Sequence, residues 1–149
     1  MAAPMHAGGD SVDSFSSPMN CIVLRLGPGQ EIVTSLKQLV NQNNIQAAFI
    51  ITCVGSVTNV KLRMADSVSI VDFTGHYEIV SLVGTLSCTG FHLHGSFSDA
   101  SGKVIGGHVV SDLKVYTTAE IVIGECTKLK FDRTYDEQSG YKELSISSK

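Results

Sequence analysis

Apolar and polar residues follow two different periods along this chain. Between residues 30 and 42 the apolar side chains recur every three or four positions, which predicts one amphipathic helix. Elsewhere the apolar residues alternate with polar ones or form short continuous runs, and both patterns are typical of strands. The predicted extended stretches are 20–26, 47–54, 57–64, 68–73, 76–88, 91–98, 103–111, 115–123, 128–133 and 141–146.

These stretches predict an α+β fold, with a mainly antiparallel β-sheet of about eight strands and one clear amphipathic helix at about 30–42. A second short helix near 113–119 is an alternative for that stretch. The 149 residues suffice for a single domain with a hydrophobic core. We expect a flexible leader over 1–18, one domain over 19–146 and a tail over 147–149.

Composition narrows the classes of function. The net charge of −3 argues against electrostatic binding of nucleic acid over the whole protein surface. There is no apolar run long enough for a membrane span and no signal-peptide pattern, so we expect an intracellular protein, cytoplasmic or nuclear, with no membrane partner. The four cysteines form no CxxC pair, which favours reduced thiols. Only 17% of the residues are charged, which favours some apolar surface buried between subunits.

Three histidines are the most informative candidates for chemistry. His92 and His94 stand two residues apart in a predicted strand, so their side chains share one face, while Phe91, Leu93 and Phe97 occupy the other. The apolar face therefore has its own occupants. Two neutral imidazoles side by side on a strand form a chelate for a divalent metal.

The third histidine, His108, lies in the next predicted strand, after the turn residues 99–102. A plain hairpin would set His108 opposite Leu93, on the wrong face, and one extra residue would set it opposite His94. A bulge at 106–107, where two glycines stand together, could supply that residue. His108 could instead join the pair from a neighbouring subunit.

Three histidines with an open position are the layout of a catalytic zinc site, whereas structural zinc sites are usually closed by four ligands. We therefore predict a divalent metal, with zinc expected, on His92, His94 and His108. The competing interpretation is that these are polar histidines on a solvated sheet face. A cupin would also place two histidines this way, but the stretch after His94 lacks the glutamate of that motif.

Two charged residues stand within apolar strands. Glu120 in the run 118–123 is expected to be a buried carboxylate that needs a partner, because an isolated buried charge is very costly. It is our candidate acid or base beside a metal-bound water, and an ion pair with Arg25, Arg63 or a lysine is the competing interpretation. Arg25 is the candidate clamp for an anionic ligand.

Several segments in fixed order resemble the plants-and-prokaryotes-conserved (PPC) domain family. The segments are Gly55-Ser56-Val57, Glu78 to Thr85, Gly90 to Gly95, Gly102 to His108, Thr118-Ala119-Glu120 and Phe131-Asp132-Arg133. The resemblance extends over about residues 20–146. It implies an α+β domain that assembles as a homotrimer, with a metal, expected to be zinc, on the residues matching His92, His94 and His108.

The resemblance also implies a fold related to acetolactate decarboxylase, which uses a three-histidine zinc. In land plants the PPC domain follows AT-hooks in nuclear DNA-binding proteins. This chain has no Arg-Gly-Arg-Pro hook, and its segment 75–80 has His76 where the plant group has arginine. It therefore resembles the stand-alone, metal-retaining type, and direct DNA binding is not expected.

Two functions from different classes follow. The first is a homotrimeric, metal-binding binding or assembly module with a structural or regulatory metal. The second is a metal-dependent enzyme, lyase-like or hydrolase-like, that acts on a small carbonyl or carboxylate metabolite near the metal, with Glu120 as acid/base and Arg25 as anion clamp. Whether the chain is an enzyme is left open, because a metal site alone does not name a reaction.

Overall fold

The computed structural model describes residues 12–149. Most of the predicted leader, including His6, therefore lies outside the described residues. The elements are β1 (Met19–Leu26), α1 (Ile32–Gln42), β2 (Ala48–Arg63), β3 (Ile70–Ser87), β4 (Gly90–Ser98), β5 (Val104–Cys126), β6 (Leu129–Asp136) and β7 (Tyr141–Ser148). Seven strands and one helix within this range confirm the predicted α+β class. No helix in this range is long and apolar enough to cross a membrane.

Four of the strands close on one another by antiparallel pairing. β2 pairs with β3, β3 with β4, β4 with β5, and β5 again with β2. The free edge of the second half of β5 pairs with β1. Because β5 runs through this whole circuit, its two ends lie beside different strands, β4 at the start and β1 at the end.

The inner face of this circuit and the helix α1 form the main hydrophobic core. Glu31 caps α1, since its carboxylate accepts hydrogen bonds from the N–H groups of Val33 and Thr34. The helix buries Ile32, Leu36 and Val40 completely, as the predicted amphipathic spacing requires. Phe97, Leu82, Leu113, Ile121 and Ile123 are likewise fully buried.

Some sequence boundaries are wrong because glycines do not end strands here. Gly55 and Gly75 adopt positive φ within continuous strands, so β2 and β3 each join two predicted stretches. The alternative helix near 113–119 is also wrong, since these residues belong to β5. The continuous apolar run 47–54 predicts a central strand buried on both faces, and this prediction is wrong, because Ile51 and Val54 are exposed at 44% and 52%.

A second, two-stranded sheet of β6 and β7 packs against the end of the first sheet. Leu129 and Phe131 form a small cluster with Ala47. The N–H of Phe131 donates to the carbonyl oxygen of Gln46 at 2.9 Å, and the Thr89 hydroxyl donates to the carbonyl oxygen of Phe131 at 3.1 Å. These bonds fix the β6–β7 hairpin beside the β3–β4 turn.

Candidate metal centre

The three histidines meet within one chain. Each offers one ring nitrogen, and these three atoms lie within 4.8 Å of one another. Nε2 of His92 and Nε2 of His94 are 3.2 Å apart. The ring centroid of His108 lies 5.1 Å from that of His92 and 5.5 Å from that of His94. The strand alternation explains the pair, because Leu93 between them is buried in the core with its side chain on the other face.

The β4–β5 hairpin places His108 directly opposite His94, as predicted, but not by a bulge at the two glycines. The register is constant from Ser98↔Val104 to His94↔His108, so the extra residue lies in the loop. The loop closes with the N–H of Asp99 donating to the carbonyl oxygen of Lys103, and Gly102 takes φ 80° there. A glycine in this left-handed conformation is the usual way to add one residue to a hairpin loop.

The surroundings favour the neutral form of two of the three histidines. Burial, followed by the positive charges of Arg63, His92 and His94, lowers the pKa of His108 to about 4. Burial, followed by His94 and Arg133, also lowers the pKa of His92. A neutral imidazole has a free lone pair, which is the form that binds a metal.

One atom of the cluster lacks a partner. Nδ1 of His108 is buried and has no hydrogen-bond partner among the described residues. An unsatisfied buried nitrogen is costly, and a bound metal or a water molecule would offset that cost. This nitrogen, together with three converging imidazole rings, fits a divalent metal such as zinc.

A shallow cleft of about 240 Å³ lies over the pair of histidines. Its lining residues are Val83, Gly84, Thr85, His92 and His94. Thr85 stands opposite His92, and Val83 opposite His94, so β3 supplies the wall beside β4. Gly84 is required there, because its φ is 146° and a Cβ would overlap the carbonyl oxygen of His92.

Two arginines near the histidines were missed as site residues by sequence reasoning. Arg63 stands opposite His108 across β2 and β5, so the two side chains share a face. Arg133 of β6 is half-buried, and its Nη2 donates to the Thr85 hydroxyl at 2.6 Å. Arg63 was named only as an ion-pair partner and Arg133 only within a family segment.

The register that brings Arg63 to His108 has several irregularities between β2 and β5, which no sequence period reveals. Arg133 reaches the site only because β6 packs on the first sheet, a tertiary contact without a local signal.

Glu120 and Arg25 stand elsewhere on the long strand. They are opposite each other across β5 and β1, twelve positions along β5 from His108. Glu120 is exposed, so the expectation of a buried carboxylate that needs a partner is wrong. Its neighbours Ala119 and Ile121 are fully buried, and Glu120 points to the opposite face. Arg25 is also exposed, and its Nε donates to the Thr118 hydroxyl at 3.0 Å.

Known proteins are similar to this chain in sequence and fold. The family model of the Plants and Prokaryotes Conserved (PCC) domain matches residues 13–127. A bifunctional protein GlmU from a Synechococcus strain is 40% identical over 123 residues, which are 83% of this chain and 20% of that protein. AT-hook motif nuclear-localized protein 13 of Arabidopsis thaliana is 30% identical over 114 residues, 68% of this chain and 26% of that protein. The chain thus spans about a fifth to a quarter of the length of these curated relatives.

Solved structures also match over most of the chain. A hypothetical protein from Salmonella cholerae-suis (Salmonella enterica) is 45% identical, with a TM-score of 0.88 over 91% of this chain and 98% of that one. A metal-containing protein from Archaeoglobus fulgidus shares the fold at 24% identity, with a TM-score of 0.75 over 90% of this chain and 99% of that one. The matching family model covers more than half of the sequence and includes His92, His94 and His108. The chain belongs to the Plants and Prokaryotes Conserved domain family.

Proposed function

We propose that this protein is a metal-binding module in which His92, His94 and His108 hold one divalent metal, with zinc as the expected ion. The observation that carries the proposal is the convergence of three imidazole nitrogens within 4.8 Å. The unsatisfied Nδ1 of His108 and the lowered pKa values of His92 and His108 agree with it. The metal-containing relative from Archaeoglobus fulgidus has the same fold and supports the proposal.

Elemental analysis of the untagged protein tests the metal proposal. We expect about one zinc per chain in the wild type and none in the His92→Ala/His94→Ala double variant. Glu120→Gln is the matched control, since Glu120 is exposed and twelve residues from His108, and it should keep the metal. A wild type that holds no metal after zinc is added back would leave three polar surface histidines.

We further propose that the module works as a homotrimer that binds or assembles partners, with the metal in a structural or regulatory role. The outer face of the sheet supports assembly, because Val23 of β1 and Val54 of β2 are exposed at 72% and 52%. Exposed apolar side chains on a sheet face favour contact with another chain. The resemblance to the PPC family supports three copies.

Sedimentation equilibrium at micromolar concentration tests the assembly. We expect a trimer for the wild type and a shift toward the monomer for Val23→Lys/Val54→Lys. The control is Val68→Lys, in the loop between β2 and β3, where the side chain is 81% exposed. A wild-type monomer would contradict the trimer.

Duplex DNA is not a proposed partner, since the net charge is −3 and the sequence contains no AT-hook. The nuclear relatives match this chain over only about a quarter of their length. The activity of the GlmU relatives is likewise not proposed for this chain, which matches a fifth of them. All four cysteines are free thiols, which supports the proposal of an intracellular location.

The cleft beside His92 and His94 favours a second candidate function, a lyase-like or hydrolase-like enzyme for a small carbonyl or carboxylate metabolite. A divalent metal there would polarise a carbonyl group or lower the pKa of a bound water. The roles predicted from sequence for Glu120 as acid/base and Arg25 as anion clamp conflict with their positions, since both are exposed and Glu120 stands twelve residues along β5 from His108. Turnover should therefore disappear in His92→Ala/His94→Ala and be retained in Glu120→Gln, and loss of turnover in Glu120→Gln with the metal still bound would return Glu120 to the reaction.

A further inference from the structure

Two guanidinium groups stand at the histidine cluster and have no strong carboxylate partner of their own. Within the described residues, the ion pairs join Lys61 to Asp72 and Asp112, and Lys130 to Asp132. Neither Arg63 nor Arg133 takes part in them. Surface arginines are readily solvated, but Arg133 is half-buried, and burial lowers its pKa. A half-buried guanidinium without an ion pair is a ready binding group for an anion.

Both arginines lie next to residues of the cluster or of the cleft wall. Arg133 donates to the Thr85 hydroxyl, and Thr85 stands opposite His92 in the wall of the cleft. Arg63 stands opposite His108, and its guanidinium carbon lies 5.5 Å from the ring centroid of Tyr141. A cation held over an aromatic ring keeps its donors free for another ligand.

The charge of the site is positive even before a metal is counted. The positive charges of Arg63 and Arg133 both lower the pKa of His92, and the negative charge of Glu143 raises it. Two arginines against one glutamate leave a net charge of +1, and a divalent ion would raise it to +3. An open metal position flanked by two arginines favours an anionic ligand over a neutral one.

The β6–β7 hairpin supplies one of the two arginines and the charged and aromatic residues beside them. Arg133, Tyr141 and Glu143 all lie on β6 and β7, after the residues 13–127 that the family model matches. His92, His94, His108 and Arg63 lie within that range. The hairpin thus adds a charged wall to a cluster that the matched part of the chain builds.

We propose that Arg63 and Arg133 make this cleft a binding site for a small oxyanion, a carboxylate or a phosphate group, which the guanidinium groups hold beside the three histidines. The proposal deepens the proposed function, since the metal would face the same oxyanion. The cleft of about 240 Å³ accepts a small molecule, and its threonine and ring nitrogens are the polar groups that would orient it. In this proposal Arg63 and Arg133 take the role of anion clamp that the sequence suggested for Arg25, which stands opposite Glu120.

Isothermal titration calorimetry with zinc-loaded protein tests the site. The probes are sodium lactate for the carboxylate and inorganic phosphate for the phosphate, at constant ionic strength. We expect saturable binding of at least one probe to the wild type and at least tenfold weaker binding to Arg133→Gln and to Arg63→Gln. Arg133→Lys keeps the charge and a donor for Thr85 if the glutamine variant fails to fold, and it should still bind more weakly than the wild type. Which probe binds identifies the source of the oxyanion.

Two controls and the zinc content separate the possible failures. Lys37→Gln removes one exposed positive charge on α1 and should not change the affinity. Equal loss in Lys37→Gln, or loss in Arg25→Gln alone, would overturn the proposal. Zinc bound without probe binding overturns the oxyanion site and leaves the metal proposal intact. If the wild type holds no zinc after zinc is added back but still binds a probe through both arginines, the oxyanion site is supported and the metal proposal is refuted.

Discussion

The long strand β5 contributes one residue to each of the two groups that the sequence marks as chemical, His108 near its start and Glu120 near its end, and the two ends differ. At the start, His108 stands opposite His94 and the three ring nitrogens converge within 4.8 Å. Near the other end, Glu120 stands opposite Arg25, both side chains are exposed, and Arg25 donates a hydrogen bond to the Thr118 hydroxyl. Charged residues in an apolar run therefore indicate chemistry only when the register across strands brings further polar groups to the same face.

The two ends also share a backbone feature. Gly84 lies against His92 and Gly55 against Thr118, both with φ near 145°. In each case a Cβ would overlap the carbonyl oxygen of the facing residue. The difference between the ends is therefore not in how the strands approach but in which side chains stand around the glycine.

The largest expected effect is that of Gly84→Ala and Gly55→Ala. Each should lower the free energy of unfolding by about 3 kcal/mol or more, because positive φ and the overlap both oppose a side chain. Urea unfolding measures the loss. Gly102→Ala is the control, with φ 80° and open space around the Cβ, and should cost about 1 kcal/mol. Equal, small losses in all three would contradict the tight approach of the strands.

Zinc binding should separate these two glycine variants. In whatever fraction folds, Gly84→Ala moves His92 and should bind zinc more weakly, whereas Gly55→Ala should bind it as the wild type does.

Metal removal should act only through the histidine end of β5. A ligand that binds the folded state at one hundred times its Kd stabilises it by about 2.7 kcal/mol. We therefore expect a chelator to lower the Tm of the wild type by about 5–10 °C at a fixed protein concentration. Thermal melts should give the same drop for Glu120→Gln and none for His92→Ala/His94→Ala. A drop that survives in the histidine variant would place the metal elsewhere.

The alternation of faces near Glu120 can be tested with Cys53. Cys53 stands opposite Ile121 and is buried, and burial raises the pKa of its thiol from 9.0 to about 12. Iodoacetamide at pH 8 should leave Cys53 unmodified while the exposed Cys88 reacts, as peptide mass spectrometry reports. The stability that comes from keeping this thiol protonated is complete below pH 9.0 and is lost as the pH rises toward about 12. Labelling of Cys53 as fast as Cys88 would mean that the inner face is open.

The smallest effects are expected at the Glu120 end itself. Arg25→Ala and Glu120→Gln should each change the free energy of unfolding by no more than about 0.5 kcal/mol, because both side chains are exposed. Urea unfolding of the two variants, with zinc content measured beside it, checks this. A loss of several kcal/mol in either variant would point to a buried interaction at this end.

The local patterns of the sequence predict much of this molecule. The spacing of apolar residues every three or four positions predicts α1 to within two residues of its start. The alternation of side chains along a strand predicts that Leu93 and Phe97 are buried on the face opposite the histidines. The turn residues before Lys103 predict the β4–β5 hairpin, and His108 does face His94. These features depend on residues close in sequence.

Other features depend on contacts between distant segments and leave no local signal. The irregular register of β2 with β5 brings Arg63 to His108, and the packing of β6 brings Arg133 to Thr85. The exposure of Glu120 was missed because the apolar run 118–123 indicated a buried strand, whereas the face that carries Glu120 is uncovered and Val54 opposite it is 52% exposed. Where one sheet face is apolar but not covered, residue type does not indicate burial.

X-ray absorption at the zinc edge of the zinc-loaded protein tests the central claim most directly. The account predicts about three imidazole nitrogens at about 2.0–2.1 Å from zinc, with one further oxygen ligand and no sulfur. In His92→Ala/His94→Ala this signal should be lost. Sulfur scattering at about 2.3 Å would assign the metal to cysteines, and zinc with only oxygen neighbours would mean that the three histidines are not its ligands.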